Sequence, residues 1–98
     1  MELKKCTYEV YGRVQGVFFR VYTVEKAQQL GLKGYVLNTQ RGTVYGEMEG
    51  KADAIEKMKN WLQAEGSPMS HIEKAVFSNE GPIDKFSFKS FDKRRGIH

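Results

Sequence analysis

One cysteine and two histidines are all that the 98-residue chain holds of the side chains that most often serve as thiol nucleophiles, redox centres or soft metal ligands. A lone Cys6 excludes an intramolecular disulfide and any multi-thiolate metal centre within one chain. It shares its parity with Tyr8 and Val10, which reads as a packed thiol rather than a reactive one. His71 and His98 have no Cys, His or carboxylate at a ligand spacing that recurs in a second cluster, so no metal is expected, and His71 reads as a surface residue. Long apolar runs are missing, which excludes a membrane-spanning helix, and no secretory leader pattern is present. A reducing cytoplasm is the expected compartment. Charge of one sign is also scarce. The formal charge is +4, but the segment from Asp92 to His98 holds three of the 16 cations and one of the 12 acids, leaving 13 cations against 11 acids elsewhere. That near balance lacks the basic bias of most nucleic-acid-binding domains.

What is present suffices for one small core. Hydrophobic residues make up 40% of the chain and aromatic ones 12%, enough for a single layer pair and too little for a second folding unit. No internal repeat or low-complexity linker divides it. The expected domain covers residues 1–91, and residues 92–98 read as a basic, solvated tail. Cys6, Tyr8, Val10 and Val14 alternate with Thr7, Glu9, Tyr11 and Arg13, the period of a strand with one buried face. Phe19, Thr23, Ala27 and Leu30 then recur at helical spacing, with Gly31 as the stop. Gly34 to Asn38 and Val44 to Glu49 read as a hairpin turning at Arg41-Gly42. Ala54, Ile55, Met58, Trp61 and Leu62 form the stripe of a second helix that stops before Gly66. Ile72 to Asn79 predicts a fourth strand, and a turn at Gly81-Pro82 leads to a short extra strand at Phe86-Ser87-Phe88. The order predicts an α+β, ferredoxin-like βαββαβ two-layer sandwich, an antiparallel sheet with two helices on one face.

Between the first strand and first helix lies Gly12-Arg13-Val14-Gln15-Gly16-Val17-Phe18-Phe19-Arg20. Gly16 permits backbone turns that aim successive amides at one point, the helix start adds unpaired N–H groups, and Arg20 adds a planar fork of donors. The pattern fits an oxyanion cradle, and equally an ordinary strand-to-helix turn. It is not a nucleotide P-loop, since Val17 and Phe18 follow Gly16 where Lys and Ser or Thr would be needed. Nor is it a cysteine phosphatase loop, because Val14 stands where the nucleophile would be. Asn38 is either a turn asparagine or, if the loops leaving the first two strands approach each other, an amide able to hold a water. Phe18 and Phe19 read as packing at the helix start rather than as a specificity pocket.

These residues, with Leu30-Gly31-Leu32, Gly34-Tyr35-Val36-Leu37-Asn38, Gly42-Thr43-Val44, Trp61-Leu62 and Gly66-Ser67-Pro68, span most of the chain. Together they resemble the acylphosphatases, small hydrolases of the carboxyl-phosphate bond. The chain departs from the family pattern at Tyr35, where Trp is usual, and in the segment after Phe91. The resemblance implies that Arg20 binds phosphate, that Gln15, Gly16, Val17, Phe18 and Phe19 offer cradling amides, and that Asn38 orients the water. It implies a small acyl phosphate as substrate, inorganic phosphate as product and inhibitor, and no cofactor, metal, nucleic acid or membrane for a monomeric enzyme. The alternative is a nucleic-acid-binding module of the same layout. Lys33-Gly34-Tyr35 begins like an RNA-recognition motif, but Val36 and Leu37 lack its small and aromatic residues, and the segment lies on the second strand.

Overall fold

The alternation near the N-terminus becomes the longest inner strand of a five-stranded sheet. The computed structural model describes residues 2–95 and contains β1 (Leu3–Arg13), α1 (Phe19–Gln29), β2 (Lys33–Asn38), β3 (Val44–Lys51), α2 (Ala52–Ala64), β4 (His71–Ile83) and β5 (Phe91–Lys93). The sheet order is β4-β1-β3-β2-β5. As in the expected ferredoxin-like layout, β1 and β3 pair antiparallel at the centre, from Leu3 opposite Lys51 to Val10 opposite Val44. Cys6, Tyr8 and Val10 on β1, Val36 on β2 and Val44 and Met48 on β3 form one apolar cluster with Ile55, Met58 and Leu62 of α2 and Phe19 and Ala27 of α1. Each predicted apolar position of the second helix is buried. Tyr8 reaches across this layer and donates its hydroxyl to the Tyr35 carbonyl at 2.7 Å. Gly46 makes room for it, since a Cβ there would lie 2.4 Å from the Tyr8 oxygen.

The C-terminal third corrects two expectations. Gly81-Pro82 makes no turn; β4 continues through it, with Pro82 opposite Lys4. An edge strand tolerates proline because one side of it needs no ladder donor. Phe86-Ser87-Phe88 forms no strand. The fifth strand is Phe91–Lys93, which lies parallel to β2 at the far edge and makes the sheet mixed rather than antiparallel. To get there from β4 the chain must cross the sheet, and its crossing is held by Glu49. That carboxylate, only 3% exposed, accepts the main-chain N–H groups of Ser87 at 2.8 Å and Phe88 at 3.2 Å. Phe88 then packs edge-on against Tyr35, with ring centres 5.7 Å apart.

Asp92 and Lys93, expected in the tail, therefore belong to the sheet, and residues 96–98 of that tail, His98 included, lie outside the described residues. Parallel pairing with β2 draws them in once Phe91 is buried in the core. His71 is exposed at the start of β4.

Removal of the Glu49 acceptor strands two amides of the crossing. Glu49→Ala should cost about 2 kcal/mol, a fall in Tm of roughly 10 °C, while Glu49→Gln retains most of the stability by keeping one acceptor oxygen. Thermal melts of both variants check this; equal losses would show that the carboxylate's contacts with Ser87 and Phe88 are not what holds the crossing.

Candidate active site

At one end of the sheet β1 leaves for the 14–18 loop, β2 ends at Asn38 and β3 begins at Val44 directly opposite it. The β1–β3 register brings Val10 opposite the same Val44, so the two loops share an end. Between them opens a cavity of about 310 Å³. Gly16, Phe18 and Phe19 line it from the loop and helix start, Arg20 from α1, Asn38 from β2 and Lys93 from β5.

Two residues of the loop turn left-handed, Gly16 at φ 73° and Phe18 at φ 61°. For a bulky side chain such a conformation costs on the order of 1–2 kcal/mol and must be held by its surroundings. Phe19 does so by burial, 1% exposed with its ring centre 5.6 Å from that of Trp61 on α2. The Phe18 carbonyl also accepts the Tyr22 N–H at 3.1 Å. No side chain caps α1, and no acid stands in its first turn. The helix therefore presents amide N–H groups and the positive end of its dipole with no built-in anion to answer them.

Arg20 is half-buried and donates from Nη1 to the Arg94 carbonyl at 2.9 Å, which uses one of the five N–H groups of its fork. Asn38 presents a side-chain oxygen that is buried and accepts no hydrogen bond from any described residue. A buried amide oxygen of this kind costs about 1–3 kcal/mol unless a ligand or water pairs with it. Arginine fork, uncapped helix start and unpaired acceptor together suit an oxyanion beside a water. Among the described residues no three of His, Cys, Asp and Glu come together as a metal site would require.

Comparison with known proteins gives the family. The family model described as Acylphosphatase matches residues 6–93. The chain belongs to the acylphosphatase family. It is similar to Acylphosphatase-2 of Gallus gallus, 51% identical over 92 residues that cover 94% of this chain and 89% of that protein. An acylphosphatase structure from Coxiella burnetii superposes with a TM-score of 0.84 at 31% identity, covering 95% of this chain and 94% of that one. One from Bacillus subtilis gives 0.85 at 27% identity, with coverage of 93% and 98%.

Within this acylphosphatase fold the residues singled out from the sequence divide. Gly16, Phe18, Phe19, Arg20 and Asn38 surround one cavity. Val17 is buried in the core, and Gln15 turns its side chain away to donate from Nε2 to the carbonyls of Thr39 and Thr43, both at 2.9 Å. Those two bonds lock the β1–α1 loop to the β2–β3 loop. The expectation that Phe18 packs at the helix start is overturned: its ring is 71% exposed, because the left-handed turn throws it outward while Phe19 takes the core.

Three contributors escaped the sequence reading. Arg94 donates its N–H to the Val36 carbonyl at 2.8 Å, lays its guanidinium 4.0 Å over the Tyr35 ring and offers its carbonyl to Arg20. Lys93 lines the cavity. Basic residues at a chain end carry no sequence signal that distinguishes docking from solvation. Thr39 and Thr43 are the third contribution, and their hydroxyl chain has a determinable direction. The Glu9 carboxylate is an acceptor, so Thr43 donates to it at 2.6 Å, and Thr39 donates to Thr43 at 2.6 Å. Thr39 in turn accepts the N–H groups of Arg41 and Thr43.

Glu9 anchors this loop electrostatically. Burial alone would push its carboxyl up, but the Thr43 hydroxyl and the Arg41 guanidinium outweigh that and hold it below its ordinary value of 4.5. A lowered folded-state value means a stabilisation present in full above pH 4.5 and lost as the pH falls through the folded value. Acidification from about pH 6 to about pH 3 should thus lower the Tm of the wild type by a few degrees more than that of Glu9→Gln. Parallel melting curves for the two proteins would remove Glu9 from the acid response.

Proposed function

We propose that the chain hydrolyses the carboxyl–phosphate bond of acyl phosphates to a carboxylate and inorganic phosphate without a metal ion. Arg20 and the main-chain amides of Gln15, Gly16, Val17, Phe18 and Phe19 hold the phosphoryl group, and Asn38 aims the attacking water. Membership of the acylphosphatase family makes the chain a hydrolase acting on acyl phosphates. The observation that supports the division of roles is that Arg20 and Asn38 line one cavity at an uncapped helix start, the Asn38 side-chain oxygen having no partner among the described residues.

The chemistry asks for little more. Water oxygen bonds to phosphorus as the bond to the acyl oxygen breaks, and the electron pair departs on a carboxylate. The conjugate acid of that leaving group has a pKa of roughly 4 to 5, so at neutral pH it leaves without a general acid. Charge in the loose transition state spreads over the phosphoryl oxygens, where fixed donors stabilise it most. Asn38 Oδ1 accepts one O–H of the water and sets its approach. The remaining proton passes to a phosphate oxygen of the substrate. A thiol mechanism is disfavoured, since burial pushes Cys6 up to about 11 and its thiol lies in the core. On this reading the substrate is a small acyl phosphate, phosphate is product and inhibitor, and the chain acts as a cytoplasmic monomer without nucleic acid or membrane.

Benzoyl phosphate should be hydrolysed in the presence of a chelator and protected by inorganic phosphate; loss of turnover on chelation, or tight RNA binding with no turnover, would overturn the proposal. Arg20→Ala should lower kcat/KM by about a thousandfold, and Arg20→Lys should recover little, because a point charge cannot make two parallel bonds. Asn38→Ala should lower kcat by about a hundredfold and leave phosphate inhibition within a fewfold of wild type. A variant with weakened phosphate binding and normal kcat would reassign Asn38 to binding.

A further inference from the structure

Besides Arg20, Lys93 brings a positive charge to the cavity that Asn38 lines, and no Asp or Glu lines it. Strand alternation accounts for its place. Phe91 of β5 is buried in the core between sheet and helices, Asp92 faces the other way, and Lys93 returns to the side of Phe91. The parallel register sets it beside Val36, itself fully buried. Its neighbours on the chain are otherwise engaged. The Asp92 carboxylate accepts the Ser90 hydroxyl at 3.0 Å, and the Arg94 guanidinium lies over the Tyr35 ring. Because Arg20 donates to the Arg94 carbonyl, its fork is tethered one residue from Lys93. Lys93 is exposed, and none of the ion pairs among the described residues engages it.

We infer that Lys93 is a second phosphate-binding cation, whose ammonium neutralises the charge of the phosphoryl group that Arg20 orients, so that the site favours ligands bringing a dianionic phosphoryl group. The inference rests on the proposed binding of the phosphoryl group in this cavity. The two side chains divide the task by their chemistry. A planar fork with one bond already made sets direction, whereas an ammonium on a flexible stem is a compact point charge that attracts the phosphoryl oxygens without fixing them. Total charge is unchanged as the acyl phosphate reacts, so a point charge holds substrate, transition state and product phosphate about equally. Lys93 therefore acts on KM and on phosphate affinity together and leaves kcat nearly untouched. Its exposure also opens it to salt, since the screening length shrinks from about 10 Å at 0.1 M to about 3 Å at 1 M.

Lys93→Met, Lys93→Arg and Lys93→Glu test this, assayed for benzoyl phosphate hydrolysis and for inorganic phosphate binding by NMR titration at low and high salt. Lys57→Met, on the exposed side of α2, removes an equal charge elsewhere. Lys93→Met should raise KM and the phosphate Kd together by about fourfold at low salt, with kcat changed less than about twofold. At about 1 M salt the loss should shrink below about twofold. Lys93→Arg should stay within about twofold of wild type, and Lys93→Glu should weaken phosphate binding by about tenfold or more. Wild-type phosphate affinity in Lys93→Met, a loss matched by Lys93→Arg or Lys57→Met, or a loss undiminished by salt overturns the second cation while leaving the hydrolase intact. A wild type that neither hydrolyses benzoyl phosphate nor binds phosphate overturns the proposed function itself.

Discussion

The antiparallel pairing of β1 with β3 is the constraint on which the site depends. Residues 15 and 39 are far apart in the chain, so local contacts cannot bring the two loops of the site together. The ladder that runs from Leu3 opposite Lys51 to Val10 opposite Val44 brings their ends to one edge of the sheet, where β2 has already placed Asn38 opposite Val44. Once there, the Gln15 amide bridges the Thr39 and Thr43 carbonyls and converts proximity into a fixed distance. A single side-chain amide thus ties the candidate anion-binding loop to the segment carrying the candidate water acceptor.

The second support comes from the opposite end of the chain. β5 adds parallel to β2, and the residue after it is held three ways: by the Val36 carbonyl, by the face of Tyr35 and by the Arg20 guanidinium. An arginine side chain has several rotatable bonds, and a fork proposed to meet phosphate in one orientation gains from having a bond already made. The Arg94 carbonyl supplies that bond without introducing a negative charge beside the cavity. Tyr35 and the segment after Phe91 thus meet in one cluster, in which the tyrosine ring serves as a platform for Arg94.

Much of this was legible in the residues. The helical stripes predicted each buried position of α2 and the burial of Phe19, Thr23 and Ala27, because helix period and amphipathicity are local properties that the core only had to accept. Gly16 stood out for the same reason, since a loop needing a left-handed turn leaves a short-range mark. The errors fell where a local signal met a distant demand. Gly81-Pro82 has turn chemistry, yet β4 lies at the sheet edge and extends through it. Phe86-Ser87-Phe88 alternates like a strand, yet its amides answer to Glu49, 38 residues from Ser87 in the chain.

Sequence alone determined the element order, the two-layer architecture and the single core, and marked the residues proposed to meet an oxyanion, because periodicity, turn preference and side-chain chemistry are each readable within a few positions. Tertiary structure decided the rest. It divided the Phe18-Phe19 pair into an outward ring and a core ring, turned Gln15 from the cavity to the neighbouring loop, and made Arg94 the support of Arg20. Each of those outcomes depends on which distant segment the sheet register brings within hydrogen-bonding reach, and register is a property of the assembled strands rather than of any one of them.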